Sequence, residues 1–210
     1  MGKALGFRVA LAAALGLTLG GCVQQAVLEN DVRNAQWKAR VLSTQNDLDL
    51  AEAALSAELV ELEALYQRAP GDRRIAGLLA NGYWLFADGF IEAHRLEALT
   101  AGDQVEATRQ EERQTRARAR HAYYGKLGTD SAAHDEPSTS PANKPGFGGA
   151  WLLERPRAAC ATHDRTGYER ELNDLLRSRE SQPEDRLGLA LAQWLARSWL
   201  QPAVSARCKF

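Results

Sequence analysis

Strand signals are what this 210-residue sequence lacks most. Alanine and leucine dominate its apolar set, β-branched residues are few, and no stretch alternates polar and apolar residues as a half-buried strand would. That composition points away from sheet and towards helix. An excess of one charge is missing too: 26 Lys and Arg against 27 Asp and Glu leave a formal net charge of −1. A near-neutral chain has no electrostatic footprint for nucleic acid and no call on a polyanionic substrate. Catalytic motifs are absent: there is no Gly-x-Ser-x-Gly, no phosphate loop and no His-Glu-x-x-His. The four histidines, His94, His121, His134 and His163, form no metal-ligand spacing with one another, with a cysteine or with an acid. The sequence therefore argues against an enzyme and gives no catalytic residue, metal or cofactor. Cysteine is scarce, with Cys22, Cys160 and Cys208 the only three.

What is present begins with an address. Lys3 and Arg8 are the only charges among residues 1–21, and Val9 to Leu19 is an uncharged apolar run. A positive start followed by a short apolar run is an export signal. Eleven residues fall well short of the about 20 that a membrane-spanning helix needs. The run ends Leu19-Gly20-Gly21-Cys22, which resembles the lipobox of bacterial lipoproteins. The resemblance implies cleavage before Cys22, diacylglycerol on its thiol and acylation (palmitate) of the new amine. Residues 1–21 are then a lipoprotein signal peptide, and the membrane is reached through the N-terminal lipid. Val23 stands where an inner-membrane lipoprotein would carry Asp, which implies an outer-membrane lipoprotein facing the periplasm. Three acyl chains exceed the two signals that stable anchoring requires. The lipid takes one cysteine and leaves an even pair in an oxidising compartment, so a Cys160–Cys208 disulfide is expected.

The rest reads as helices. Residues 22–42 form a lipidated tether or a first helix, with Val27, Leu28, Val32, Ala35 and Ala39 on one stripe and Trp37 near its edge. Residues 43–128 form a helical repeat region. Ser43 to Asp47 supply cap chemistry, and Leu48, Ala51, Leu55, Leu59, Leu62 and Tyr66 recur at spacings of three and four. Pro70-Gly71-Asp72 stops that helix and starts another through Ile75, Leu79, Tyr83 and Phe86. Gly82, costly by about 1 kcal/mol inside a helix, implies close approach of a neighbour. Asp88-Gly89 is read as a break, and Thr100 to Asp103 as a further turn. Residues 104–126 are helix-forming but apolar only at their end. Residues 129–149 hold three prolines and three glycines and are expected to be a flexible loop. Residues 150–210 return to amphipathic helices, with Pro183 in the first turn of an apolar one.

Leu62 to His94, LEALYQRAPGDRRIAGLLANGYWLFADGFIEAH, resembles a tetratricopeptide repeat in its Leu79-Ala80 pair, Tyr83, Phe90 and Ala93, with an inter-helix turn one residue longer than consensus. Together with the lipobox, with RARARHAYYGKL at 116–127, and with Ala192, Gln193 and Ala196 running to Phe210, it is similar to the T component of TRAP-transporter systems, often called TatT. That resemblance implies an all-α fold of antiparallel helical hairpins, a tetratricopeptide-like repeat or α-solenoid, and a binding or scaffolding role linked to solute uptake. It also implies a periplasmic partner protein, with a solute-binding protein as the leading case and a homo-oligomer left open. Trp84 lies off the buried stripe and is a candidate partner-binding residue. Arg116 and Arg120, in a run of five Arg and two Glu from Arg109 to Arg120, are the others. The plainer reading of that run is a solvated face with internal pairing, such as Glu112 with Arg116. The alternative function is a periplasmic carrier of a small apolar or carboxylate ligand; an envelope-remodelling enzyme ranks behind both.

Overall fold

Two capped starts organise the first half of the chain. In a computed structural model that describes residues 24–129, 153–180 and 182–210, Asp47 caps helix α2 (Leu48–Arg68) by accepting from the Leu50 backbone N–H at 3.0 Å. The signal peptide, Cys22 and the expected loop lie outside the described residues, apart from Thr129. α2 buries Ala51, Leu55, Leu59, Leu62 and Leu65, the face that the spacing predicts. It ends at Ala69-Pro70; Gly71 turns at a φ of 92°, and Asp72 caps α3 (Arg73–Leu85) through the N–H groups of Arg74 and Ile75. At Gly82 of α3 an added Cβ would come within 2.9 Å of the tip of the Leu59 side chain, so α2 approaches closely there and Leu59 would have to shift to admit a larger residue.

The expected break at Asp88-Gly89 is not there. α3 continues through a π-helical segment (Phe86–Ile91) directly into α4 (Glu92–Ala101), making one rod from residue 73 to 101. The Glu92 N–H reaches back five residues to the Ala87 carbonyl. A π turn absorbs one extra residue without leaving the helix, which is where the sequence carried one residue more than the repeat consensus. Gly102, at a φ of 77°, ends the rod. Asp103 then opens α5 (Gln104–Thr129) by accepting from the Glu106 N–H at 2.9 Å.

α5 packs along the whole rod, and not only by its apolar end. Ala107, Gln110, Gln114, Ala117 and Tyr124 are buried, with His121 and Gly128 half-buried between and beyond them. They alternate spacings of three and four, so they form one seam. A Cβ at Gly128 would sit 3.6 Å from Gly77, so the two helices meet there backbone to backbone. The seam was missed because its members are small or polar.

The segment that begins at 24 is a helix rather than a tether. α1 (24–43) lays Leu28, Val32, Ala35 and Leu42 on the body. It is tied down by Asp31–Arg68 at 3.1 Å, Lys38–Glu58 at 3.0 Å and a two-pronged Glu29–Arg74 pair at 2.7 and 2.9 Å. Val27 and Trp37, expected on or near the stripe, face solvent. After residue 153 come α6 (Glu154–Ala161), α7 (Arg165–Arg177), a 3₁₀ turn (Pro183–Asp185), α8 (Arg186–Trp199), a short α9 (Pro202–Ser205) and a last 3₁₀ turn (Ala206–Cys208). No strand occurs among the described residues, and the fold is all-α.

Of three apolar clusters among the described residues, the smallest joins Ala87, Ile91 and Ala117, and the two larger share one wall. The first gathers α1, α2, α3 and Tyr124 of α5; the second gathers Ala93, Leu96, Tyr168, Leu172, Leu175 and Val204. α8 serves both, giving Leu187 and Leu191 to the first and Ala192, Leu195 and Ala196 to the second.

Cys160 and Cys208 are bonded, with Cα atoms 4.9 Å apart, and the bridge ties α6 to the terminal turn across 48 residues. Closing a loop of that length contributes about 4 kcal/mol in the chain-entropy account. Reduction should therefore lower the denaturant midpoint of the second core, read at Trp194 and Trp199. A midpoint that ignores reductant, or two freely titrating thiols at Cys160 and Cys208 in the unfolded, unreduced chain, would contradict the bridge.

Candidate functional site

Where α2, α3 and α5 meet, one carboxylate of α2 collects donors from the other two helices. Glu63 of α2 accepts from the Tyr83 hydroxyl at 2.8 Å and is ion-paired with Arg120 of α5. The Arg120 guanidinium lies 6.0 Å from the Tyr83 ring centre, and Tyr124 stacks on Tyr83 at 6.1 Å with planes 8° apart. Tyr66 and Tyr123 meet Tyr124 edge-on at 5.3 and 4.9 Å. Burial first, and then the neighbouring Glu63 carboxylate, push the Tyr83 phenol well above its ordinary range and raise that of Tyr124. Both keep their protons at neutral pH, and so remain donors. Arg120 is held charged chiefly by the attraction of Glu63. The outer edge of this cluster is open: Tyr123 is 56% exposed, and Arg120 keeps half its side chain in solvent. An aromatic anchor beside a held guanidinium suits contact with a carboxylate or an acidic surface.

The three sequence candidates do not share one site. Arg120 belongs to the cluster just described. Arg116, one turn earlier, is exposed and has a weak contact with Glu112 at 3.9 Å, worth little in water. Trp84 instead lines an apolar cleft of about 20 Å³ with Leu85, Gly89, Leu153, Leu191 and Leu195, which has Asp88 and Arg157 at its polar end. Arg118 pairs with Asp88, and Arg113 sits 5.8 Å from the Phe86 ring centre. Pairing within α5 accounts for Arg109 with Glu106, Arg113 with Gln110 and Arg116 with Glu112, whereas Arg118 and Arg120 reach across to Asp88 and Glu63. Glu63 and Tyr124 were not singled out from the sequence. Glu63 and Arg120 are 57 residues apart, and no local pattern joins them.

A second polar junction lies at the boundary of the two cores. His94 Nε2 is 2.8 Å from Glu52 of α2 and Nδ1 is 3.5 Å from Glu97. Trp194 of α8 meets the imidazole edge-on at 5.3 Å and donates its indole N–H to Glu97 at 2.8 Å. Beside it lies an open groove of about 300 Å³ rimmed by Glu97, Asp103 and Glu106. No group of three or more His, Cys, Asp or Glu among the described residues could hold a metal ion. None of the described helices is long and apolar enough to cross a membrane.

Residues 44–144 match the family model described as TRAP transporter T-component, and the likeness to that family carried by the sequence is shown. The described part of the match runs from the cap of α2 to the end of α5, and so contains the Glu63 cluster and the seam. No curated protein and no solved structure matches the chain.

The Glu52 hydrogen bond, with Glu97 adding to it, raises the His94 pKa above its ordinary 6.5. A group raised on folding stabilises fully below its unfolded pKa, and that contribution fades as pH climbs through the folded value. Unfolding free energy should then fall as pH rises from about 6 through the His94 transition, and His94→Gln should flatten that slope. An identical slope in wild type and variant would refute the assignment.

Proposed function

From the TRAP transporter T-component likeness of residues 44–144, we propose that the chain is a lipid-anchored, helical binding component of a bacterial envelope, associated with TRAP-type solute uptake. It works on the periplasmic side, held to the outer membrane through Cys22, and acts by binding rather than catalysis. The observation that carries this reading is that the matched region is also the region where α5, packed against α3 and tied to α2, presents Tyr123, Arg116 and Arg120 on one open face. The partner is a periplasmic protein, with a solute-binding protein as the leading case, and its contacting surface is acidic.

The carrier reading has less support. The apolar cleft at Trp84 has room for little more than one water, which needs about 10–15 Å³. The larger groove is rimmed by three carboxylates and would repel a carboxylate ligand.

The test is capture of the full-length, membrane-derived protein after mild cross-linking in cells, with the retained proteins identified by mass. A solute-binding protein should be recovered with wild type and reduced several-fold with Arg116→Glu. Arg116 is the residue to reverse, because a carboxylate at position 120 would face Glu63 and disturb the fold. Undiminished recovery with Arg116→Glu would remove the acidic-surface contact. Recovery of outer-membrane or peptidoglycan machinery instead would remove the link to uptake.

A further inference from the structure

The outer side of α1 has no partner among the described residues. At 100° per residue, the face opposite Val32 and Ala35 carries Ala26, Asn30, Arg33, Trp37, Arg40 and Val41, all exposed. Trp37 is 62% and Val41 39% exposed. The remaining charges of α1 are turned towards the body and neutralised there: Glu29 by Arg74, Asp31 by Arg68, Lys38 by Glu58 and Glu61. Arg33 and Arg40 are left on the outer face with no ion pair among the described residues, Glu29 attracting Arg33 only at longer range. A tryptophan flanked by two unpaired arginines and an aliphatic side chain is the composition of a helix lying in a membrane interface.

Chain length gives the occupant. One residue, Val23, separates Cys22 from Gln24, where α1 begins. Two peptide steps span at most about 7 Å. A lipid on Cys22 therefore holds the first turn of α1 at the headgroups. Trp37, 13 residues on, lies about 20 Å further along the axis. It reaches the surface when the helix lies flat and stands far from it when the helix is upright. We propose that α1 lies along an anionic phospholipid surface, with Trp37 and Val41 in the interface and Arg33 and Arg40 on headgroup phosphates. α1 thereby sets the orientation of the body, with the α2–α3–α5 region carried above the bilayer. This rests on the lipid-anchor reading and adds a second contact to it.

The experiment uses full-length protein purified from membranes and reconstituted into phosphatidylcholine–phosphatidylglycerol vesicles, with and without brominated acyl chains. The wild-type minus Trp37→Phe difference spectrum isolates one of the five tryptophans. That difference emission should be blue-shifted and quenched by bromine, and Arg33→Glu/Arg40→Glu should lose the quenching while the protein stays vesicle-bound. Unquenched emission from a chain whose N-terminal peptide carries acyl mass overturns the inference and leaves the anchor standing. Blue-shifted but unquenched emission assigns the face to a protein contact and also overturns it. An N-terminal peptide without acyl mass overturns the anchor itself.

Discussion

Gln114 is the side chain on which the architecture turns. Its amide donates to the Ala87 carbonyl at 3.0 Å and to the Glu92 carboxylate at 3.0 Å, inside the longest described helix and 4% exposed. Glu92 is clasped from its other side by Arg95 at 2.6 and 2.8 Å. The Ala87 carbonyl belongs to the π turn, whose widened ring weakens the ladder locally. Gln114 supplies that carbonyl with a second donor and a buried carboxylate with a neutral partner. Neither group would be left unpaired without Gln114, so the two bonds contribute their net worth, about 1 kcal/mol at the carbonyl and about 1.5–3 kcal/mol at the carboxylate. Gln114 also fixes the register of the seam, because sliding α5 by one turn would part its amide from Ala87 and Glu92, whereas the bonds of Gln110 stay within α5, to Glu106 and Arg113.

The other constraint is that two small cores must behave as one. α8 supplies apolar side chains to both, and Trp194 packs against each while hydrogen-bonding Glu97. His94 and Glu52 add a polar tie between α4 and α2 at the same boundary. The disulfide then fastens the far end of the second core. Buried tyrosine completes it: Tyr168 is 2% exposed and donates to the Trp199 carbonyl at 2.7 Å. The cluster around Glu63 sits on the first core, away from these ties.

Local signals were legible and tertiary ones were not. Asp47, Asp72 and Asp103 announced three helix starts, and Pro70, Gly71 and Gly102 two stops, because caps and positive φ are properties of a few adjacent residues. The apolar face of α2 was legible for the same reason. Asp88-Gly89 misled, since a break signal at that pair was overridden by packing: Gly89 is buried, with Leu191 only 3.2 Å from where a Cβ would sit. The seam of α5 was invisible to a search for apolar periodicity because it is built from Gln, Ala, His and Tyr. Trp37 was placed near the buried edge, and it faces out; hydrophobicity alone does not distinguish a core tryptophan from an interfacial one. Of the partner-binding candidates, Arg120 falls in the cluster on the open face, Arg116 is exposed one turn away and Trp84 lines a separate cleft. The carboxylate that positions Arg120 has no sequence signature.

Amide hydrogen exchange across residues 86–92 in wild type and Gln114→Leu addresses the central claim most directly. If Gln114 holds the π turn, exchange at Phe90 to Glu92 should quicken by about tenfold or more, a change of about 1.4 kcal/mol. Amides of α7 around Leu172 should be unmoved. Equal exchange in the two proteins across the π turn would mean that the rod holds its own geometry and that the polar seam only follows it.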